Sequence, residues 1–248
     1  MGISQFFTDL RIYGKNVTRL NTYNNIHRGK RCFILGNGPS LLQTDLRLLK
    51  NEITFGLNRI YLLFEKVGFS TTYLVSINRF VIEQFANEIA KTSCTKFISW
   101  YLRRQVEITP ETLFIRPGFK TRFSKNPITQ GVWEGATVTY VAMQLAYFMG
   151  FKKVILVGVD HSFISKGKAH ELVTSDGEDR NHFDPSYFGK GTKWQLPDLE
   201  TSERAYHMAK EAFEADGREI IDATIGGKLQ VFHKADYDKL FQGSSTAY

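Results

Sequence analysis

Four short apolar runs, each ending in small or polar residues, constrain this 248-residue chain more than any other feature. They are RCFILG (31–36), ITFGLN (53–58), TTYLVSIN (71–78) and KKVILVGVD (152–160). Runs that are apolar throughout, rather than alternating, suit parallel strands covered on both faces. TKFISW (95–100), TLFIR (112–116) and REIIDAT (218–224) are weaker strand candidates. Helical patterns lie between them. SLLQTDLRLLK begins at Ser40 with Gln43 three residues on, a capping-box spacing. RFVIEQFANEIAK (79–91) and DLETSERAYHMAKEAFEADG (198–217) are amphipathic, and ATVTYVAMQLAYFMG (136–150) is apolar almost all round. The last of these predicts a buried central helix ending on Gly150. Strands alternating with helices predict an α/β fold, a Rossmann-like doubly wound and mainly parallel sheet.

The expected organisation is an N-terminal extension (1–28), a catalytic domain (29–235) and a C-terminal tail (236–248). Within the domain, 161–197 has few apolar runs and many Gly, Asp, His and aromatic residues. A segment of that length and composition predicts a lid over a site. A net charge of +7 favours an acidic partner or simply confers solubility. Cys32 and Cys94 have no metal-ligand spacing, which favours a reduced, cytoplasmic protein. No run approaches the roughly 18 to 20 apolar residues of a membrane span. The start lacks signal-peptide features, and Phe6 stands where an acylation site at Gly2 would want Ser or Thr. The Phe6, Phe7, Leu10 spacing predicts docking on the body, with peripheral attachment to the inner face of the membrane as the other reading. Self-association stays open.

In an open parallel sheet, ligands bind outside the carboxyl ends of the strands. That rule gathers Gly36-Asn37-Gly38-Pro39-Ser40, Asn58, Asn78 and Asp160 at one edge. The turn lacks the lysine of a P-loop, and Leu41 stands where a dinucleotide fold has its third glycine. Its N–H groups and the start of the following helix could still meet a phosphate. An asparagine amide can read a ribose hydroxyl or a base edge without adding charge, although a single strand-end Asn often only caps a turn. Asp160 is either catalytic or a loop cap. His161, His170 and His182 all fall in the lid, with Asp160, Asp179 and Asp184 near them in sequence. No two follow a recognised ligand spacing, so no metal site is expected. WYLRRQ (100–105) and FIRPGFKTRFSK (114–125) mix basic and aromatic residues but carry no RNA-binding motif, which disfavours nucleic acid.

ILGNGPSL, strands ending GLN and SIN, ILVGVDHSF and RNHF together resemble the bacterial sialyltransferases of glycosyltransferase family forty-two. The same pattern is shared by the motility-accessory-factor transferases and the 6-hydroxymethylpterin diphosphokinase MptE-like family. The resemblance runs from about Arg31 to His182. It implies metal-independent transfer from a CMP-sugar donor, with no cofactor, to a glycan or lipid-linked acceptor in bacterial surface glycan synthesis. It further implies nucleotide contacts from Asn37, Asn58 and Asn78, a donor contact from Thr137, and His182 as general base. Histidine suits that task because its pKa lies near neutrality. The family's tyrosine after the strand-end aspartate is replaced by His161-Ser162-Phe163, so Tyr187 or His161 would have to assist the leaving phosphate. Lys190 and Lys193 are candidates for phosphate or acceptor contacts. The alternatives are an MptE-like diphosphokinase using ATP and Mg²⁺, with Asp160 as the first candidate for the metal's carboxylate and Asp179 and Asp184 in reserve, and a non-catalytic nucleotide- or glycan-binding module.

Overall fold

The seven apolar runs all form strands, trimmed where their polar ends turn away from the sheet. The computed structural model describes residues 3–164 and 167–242. In chain order the elements are α1 (Ile3–Asn21), β1 (Arg31–Leu35), β2 (Thr54–Leu57), α2 (Phe64–Val67), β3 (Tyr73–Ser76), α3 (Arg79–Lys91), β4 (Thr95–Ser99) and β5 (Thr112–Ile115). There follow α4 (Pro127–Gln130), α5 (Val138–Phe148), β6 (Lys153–Val157), β7 (Leu172–Thr174), β8 (Lys193–Gln195), α6 (Leu199–Ala215), β9 (Glu219–Asp222) and β10 (His233–Lys234). Eight strands make one sheet in the order β10-β9-β6-β1-β2-β3-β4-β5. Every pairing within it is parallel.

Strand periodicity distributes the core. Cys32 and Ile34 of β1 enter a cluster with α5 and α6 on one face of the sheet. Phe33 and Leu35 enter a second cluster on the other face, with Val81, Ile82 and Ile89 of α3. Both faces are covered, which is why the strands are apolar throughout. Helix α5 is buried from Thr139 to Phe148, as its all-round hydrophobicity requires.

The segment after β1 departs from expectation. SLLQTDLRLLK forms no α-helix but two 3-10 turns, Pro39–Gln43 and Leu46–Leu49. The capping box does not form: Gly38 holds the cap position without a side-chain bond, and the Ser40 hydroxyl donates to Asp160 instead. Asp45 then accepts from the Arg47 N–H and starts the second turn.

Helix α1 covers the open edge of β5. The Asn16 amide donates to the Phe114 carbonyl at 2.8 Å and accepts from the Phe114 N–H at 2.7 Å. It thereby takes the place of a ninth strand. Asp9 pairs with Arg103 and Arg104, which hold its carboxyl below the usual range, Arg103 most strongly. These polar contacts dock the helix together with Leu20, which enters the core, and Tyr13, edge-on to Trp100 at 5.3 Å, while Phe7 and Leu10 of the expected spacing are 62% and 55% exposed. Gly2, the side chain of Phe6 and the tail from 243 lie outside the described residues. Residues 236–242 of the tail pack on the body, with Phe241 stacked on Phe33 at 5.7 Å. Among the described residues no helix is long and apolar enough to cross a membrane.

Candidate functional site

Strand β1 has β2 on one side and β6 on the other, and the chain leaves them toward opposite ends of the sheet. Such a switch point opens a crevice at the carboxyl ends of the strands. A cavity of about 330 Å³ lies there. It is lined by Gly36, Asn37, Gly38, Asn58, Asn78, Thr137, Asp160, His161, His182 and Tyr187, residues spread over 150 positions of sequence. Pro39, Ser40, Lys190 and Lys193 are not part of its lining. The two lysines are exposed on the 161–197 segment, and the Lys193 backbone N–H donates to Gln84.

The glycine turn is built for close packing. A Cβ on Gly36 would sit 2.2 Å from the Gly158 carbonyl oxygen, and one on Gly38 would sit 1.7 Å from Asp160 Oδ2. Both glycines are therefore required by the neighbouring strand end. Three N–H groups of the turn are already engaged. Gly36 donates to Val157, Gly38 to Gly158, and Ser40 to Asp160 Oδ1. The expected phosphate cradle of turn amides is thus largely occupied within the fold. A five-residue 3-10 turn also lacks the dipole of a long helix. Asp160 accepts from the Ser40 hydroxyl at 2.7 Å, and burial pushes its carboxyl up. It clamps the turn and also lines the cavity.

The three asparagines differ. Asn37 presents a buried Oδ1 with no hydrogen-bond partner among the described residues, while its backbone carbonyl accepts from the Phe183 N–H. A buried orphan acceptor costs about 1–3 kcal/mol, so it marks a place where a ligand donor belongs. Asn58 adopts a left-handed conformation (φ 49°) and accepts from the Ser76 hydroxyl. Asn78 caps α3, its Oδ1 accepting from the Val81 N–H at 3.2 Å. Its Oδ1 serves the helix, and the residue lines the cavity.

His182 has the clearest chemical geometry. Its Nδ1 lies 2.7 Å from Asp179 Oδ2, and the pair is 12% and 5% exposed in its side chains. The Asp179 carboxylate also accepts from the N–H groups of Asn181 and Phe188, so it is fixed in orientation. His182 lines the cavity, and in the tautomer with the proton on Nδ1 the other nitrogen, Nε2, is the one left to meet a substrate. The ring is clamped from above by Tyr187, parallel to within 7° at 4.0 Å. Tyr187 is buried with its phenol pushed well up, and its hydroxyl reaches the Arg59 N–H at 3.5 Å, beside Asn58. His161 sits at φ 53° next to Tyr206, with Glu203 at 3.8 Å; burial holds its imidazole below the ordinary value. Thr137 caps α5, accepting from the Thr139 N–H, and its hydroxyl lies 3.3 Å from Tyr206 Oη.

Several contributing residues escaped the sequence reading. Asp179 orients His182, a role signalled only by the D-x-x-H spacing. Arg59 donates to the carbonyls of Ser186 and Tyr187 and lies 3.6 Å over the Phe85 ring, which pins the histidine's segment to β2. Glu134 lines the cavity with its carboxyl pushed up by burial alone. Among the described lining residues there is neither lysine nor arginine. No group of three or more His, Cys, Asp or Glu among the described residues could hold a metal ion. Of the carboxylates considered for Mg²⁺, Asp160 accepts from Ser40, Asp179 is held against His182, and Asp184 accepts from Ser186.

The family model described as 6-hydroxymethylpterin diphosphokinase MptE-like matches residues 10–166, more than half of the chain. No curated protein matches. In overall fold the chain is similar to the Maf glycosyltransferase from Magnetospirillum magneticum AMB-1, with a TM-score of 0.53 and 13% identity. That likeness covers 91% of this chain but 38% of the other, so the chain spans about two fifths of that protein's length. Matching over most of the sheet, the cavity turn and the central helix, the chain belongs to the MptE-like family.

Proposed function

We propose that this protein is a glycosyltransferase moving a sugar from a nucleotide-activated donor, CMP-linked, to a hydroxyl acceptor in bacterial surface glycan synthesis. The observation that carries the reading is the Asp179–His182 pair, whose histidine lines the cavity at the switch point. In the step, Nε2 removes the acceptor hydroxyl proton while that oxygen bonds to the anomeric carbon. The bond from that carbon to the phosphate oxygen breaks, and the nucleotide leaves with the electron pair. His182 then returns the proton to solvent. Asn37 accepts a hydrogen bond from the nucleotide, Asn58 and Asn78 flank it, and Thr137 opens the N-terminus of α5 toward the departing phosphate. Tyr187 positions the base.

The charge of the lining favours a donor with a single phosphate. A triphosphate would bring several negative charges into a cavity whose described lining offers three carboxyl groups and three histidines, without lysine or arginine. The diphosphokinase reading draws its support from the family description, and a non-catalytic binding module would keep the same pocket. Thermal-shift measurements with CMP, CDP, UDP, GDP and ATP, each with EDTA and with Mg²⁺, separate these readings. CMP is expected to stabilise the protein in EDTA by mass action. Stabilisation by Mg-ATP alone would reject the proposal in favour of the diphosphokinase.

A further inference from the structure

A second cavity, of about 650 Å³, adjoins the first. Asn181, Phe188, Trp194 and Leu196 line both. The remaining wall comes from β7 and the residues after it, including Ser175, Asp176, Glu178 and Arg180. Neither the strand-end chemistry nor the nucleotide reading uses this space. We propose that it is the acceptor subsite, and that the acceptor it takes is a neutral or amino-bearing glycan end rather than an acidic one. The inference rests on the transferase reading above.

Three observations carry it. The first is position. A transferase must bring two substrates to one base, and the shared wall runs past that base: His182 follows Asn181 directly and meets the Phe188 ring edge-on at 5.1 Å. A terminal hydroxyl reaching past Asn181 would arrive at Nε2, while the sugar carbon approaches from the nucleotide side. The second is surface chemistry. Phe188 and Trp194 stack at 5.4 Å with 19° between their planes. Phe188 is buried and backs Trp194, which is partly exposed and offers the ring face on which the C–H face of a pyranose packs, with its hydroxyls left to donate to carboxylates.

The third is charge. Asp176 and Glu178 are exposed on the cavity wall. Asp179 is committed to His182 and to two backbone N–H groups. Arg180 is the single cation among the described lining residues. An acidic sugar would place its carboxylate against like charge, whereas a neutral sugar finds acceptors and an amino sugar finds a counter-charge. This narrows the acceptor more than the chain's overall charge of +7 would suggest, because that excess lies elsewhere.

The test uses the full chain saturated with CMP in EDTA, titrated with chitotriose, triglucosamine and trigalacturonate and read by saturation-transfer NMR. Chitotriose and triglucosamine should bind, and trigalacturonate should bind at least about tenfold more weakly. Asp176→Asn combined with Glu178→Gln should narrow that gap to below about threefold while leaving the CMP-induced thermal shift unchanged. Trp194→Phe, which keeps a ring, should retain the preference, and Trp194→Ala should remove saccharide binding. The inference is overturned if trigalacturonate binds as well as chitotriose, if no saccharide binds to the CMP-loaded protein, or if the double variant leaves the preference unmoved. The CMP shift in the same samples keeps the two ideas apart: its absence rejects the nucleotide reading, and its presence without saccharide binding rejects the acceptor subsite alone.

Discussion

The two walls of the candidate site are held in opposite ways. The strand-end wall, Gly36–Ser40 against Gly158–Asp160, is locked by backbone hydrogen bonds, a half-buried carboxylate and two glycines that leave no room for a Cβ. Among its described residues the facing wall, from 161 to 197, has one two-stranded element, β7–β8, and is tied down mainly by side chains, with one backbone bond, from the Phe183 N–H to the Asn37 carbonyl, joining the two walls. Arg59 grips the carbonyls of Ser186 and Tyr187, His170 meets Asp198 at 3.0 Å, and Gln84 bonds both the N–H and the carbonyl of Lys193. The proposed nucleotide frame is thus part of the sheet, whereas the proposed base rides on a segment anchored mostly by side chains and joined to that frame at Phe183. Binding and turnover should therefore be separable by mutation.

His182→Ala is expected to have the largest effect. It should lower turnover by about 10²–10⁴-fold while CMP binding survives, as measured by CMP release and thermal shift. Equal loss of both would mean that the two walls act as one. Asp179→Asn removes the charge that orients the imidazole and should cost roughly 10²-fold in turnover with little change in nucleotide affinity. Gly38→Ala attacks the opposite wall. The new Cβ collides with Asp160, so stability should fall by about 2–4 kcal/mol in urea unfolding, and CMP binding should weaken with it. Arg59→Met removes buried charge-assisted bonds worth about 1.5–3 kcal/mol and should loosen the histidine's segment, lowering turnover more than nucleotide affinity.

The smallest expected effect concerns Glu134, whose carboxyl is raised by burial. A carboxyl with a raised folded-state pKa contributes stability that is complete below its unfolded value, near 4.5, and is lost as pH rises through the folded value. Glu134→Gln should therefore leave Tm unchanged at pH 4 and raise it slightly at pH 7 and above. An equal change at both pH values would mean that packing, and not the charge, governs this position.

The same contrast explains what could be read from the sequence. The strands and the buried helix α5 were legible because their signals are local: uninterrupted apolar runs for the former, apolar residues all round for the latter. Asn37, Asn58 and Asp160 were legible as a group because one rule places the ends of parallel strands together. The two 3-10 turns were not, because what diverts Ser40 from its capping box is Asp160, 120 residues away. Arg59 was equally hidden, since its acceptors are carbonyls 127 and 128 residues distant. A backbone acceptor leaves no mark on residue type. Lys190 and Lys193 looked useful by charge and proximity in sequence, but they lie outside the cavity lining.

The central claim is that His182, oriented by Asp179, is the base of a metal-independent transfer from a nucleotide-sugar. The most direct measurement is CMP release from CMP-linked sugars in EDTA, with chitotriose as acceptor, for the wild-type protein and for His182→Ala. The account predicts release by the wild-type protein and a loss of at least about 10²-fold in the variant, with the CMP thermal shift retained. Release that requires Mg²⁺, or that persists undiminished in His182→Ala, would contradict it.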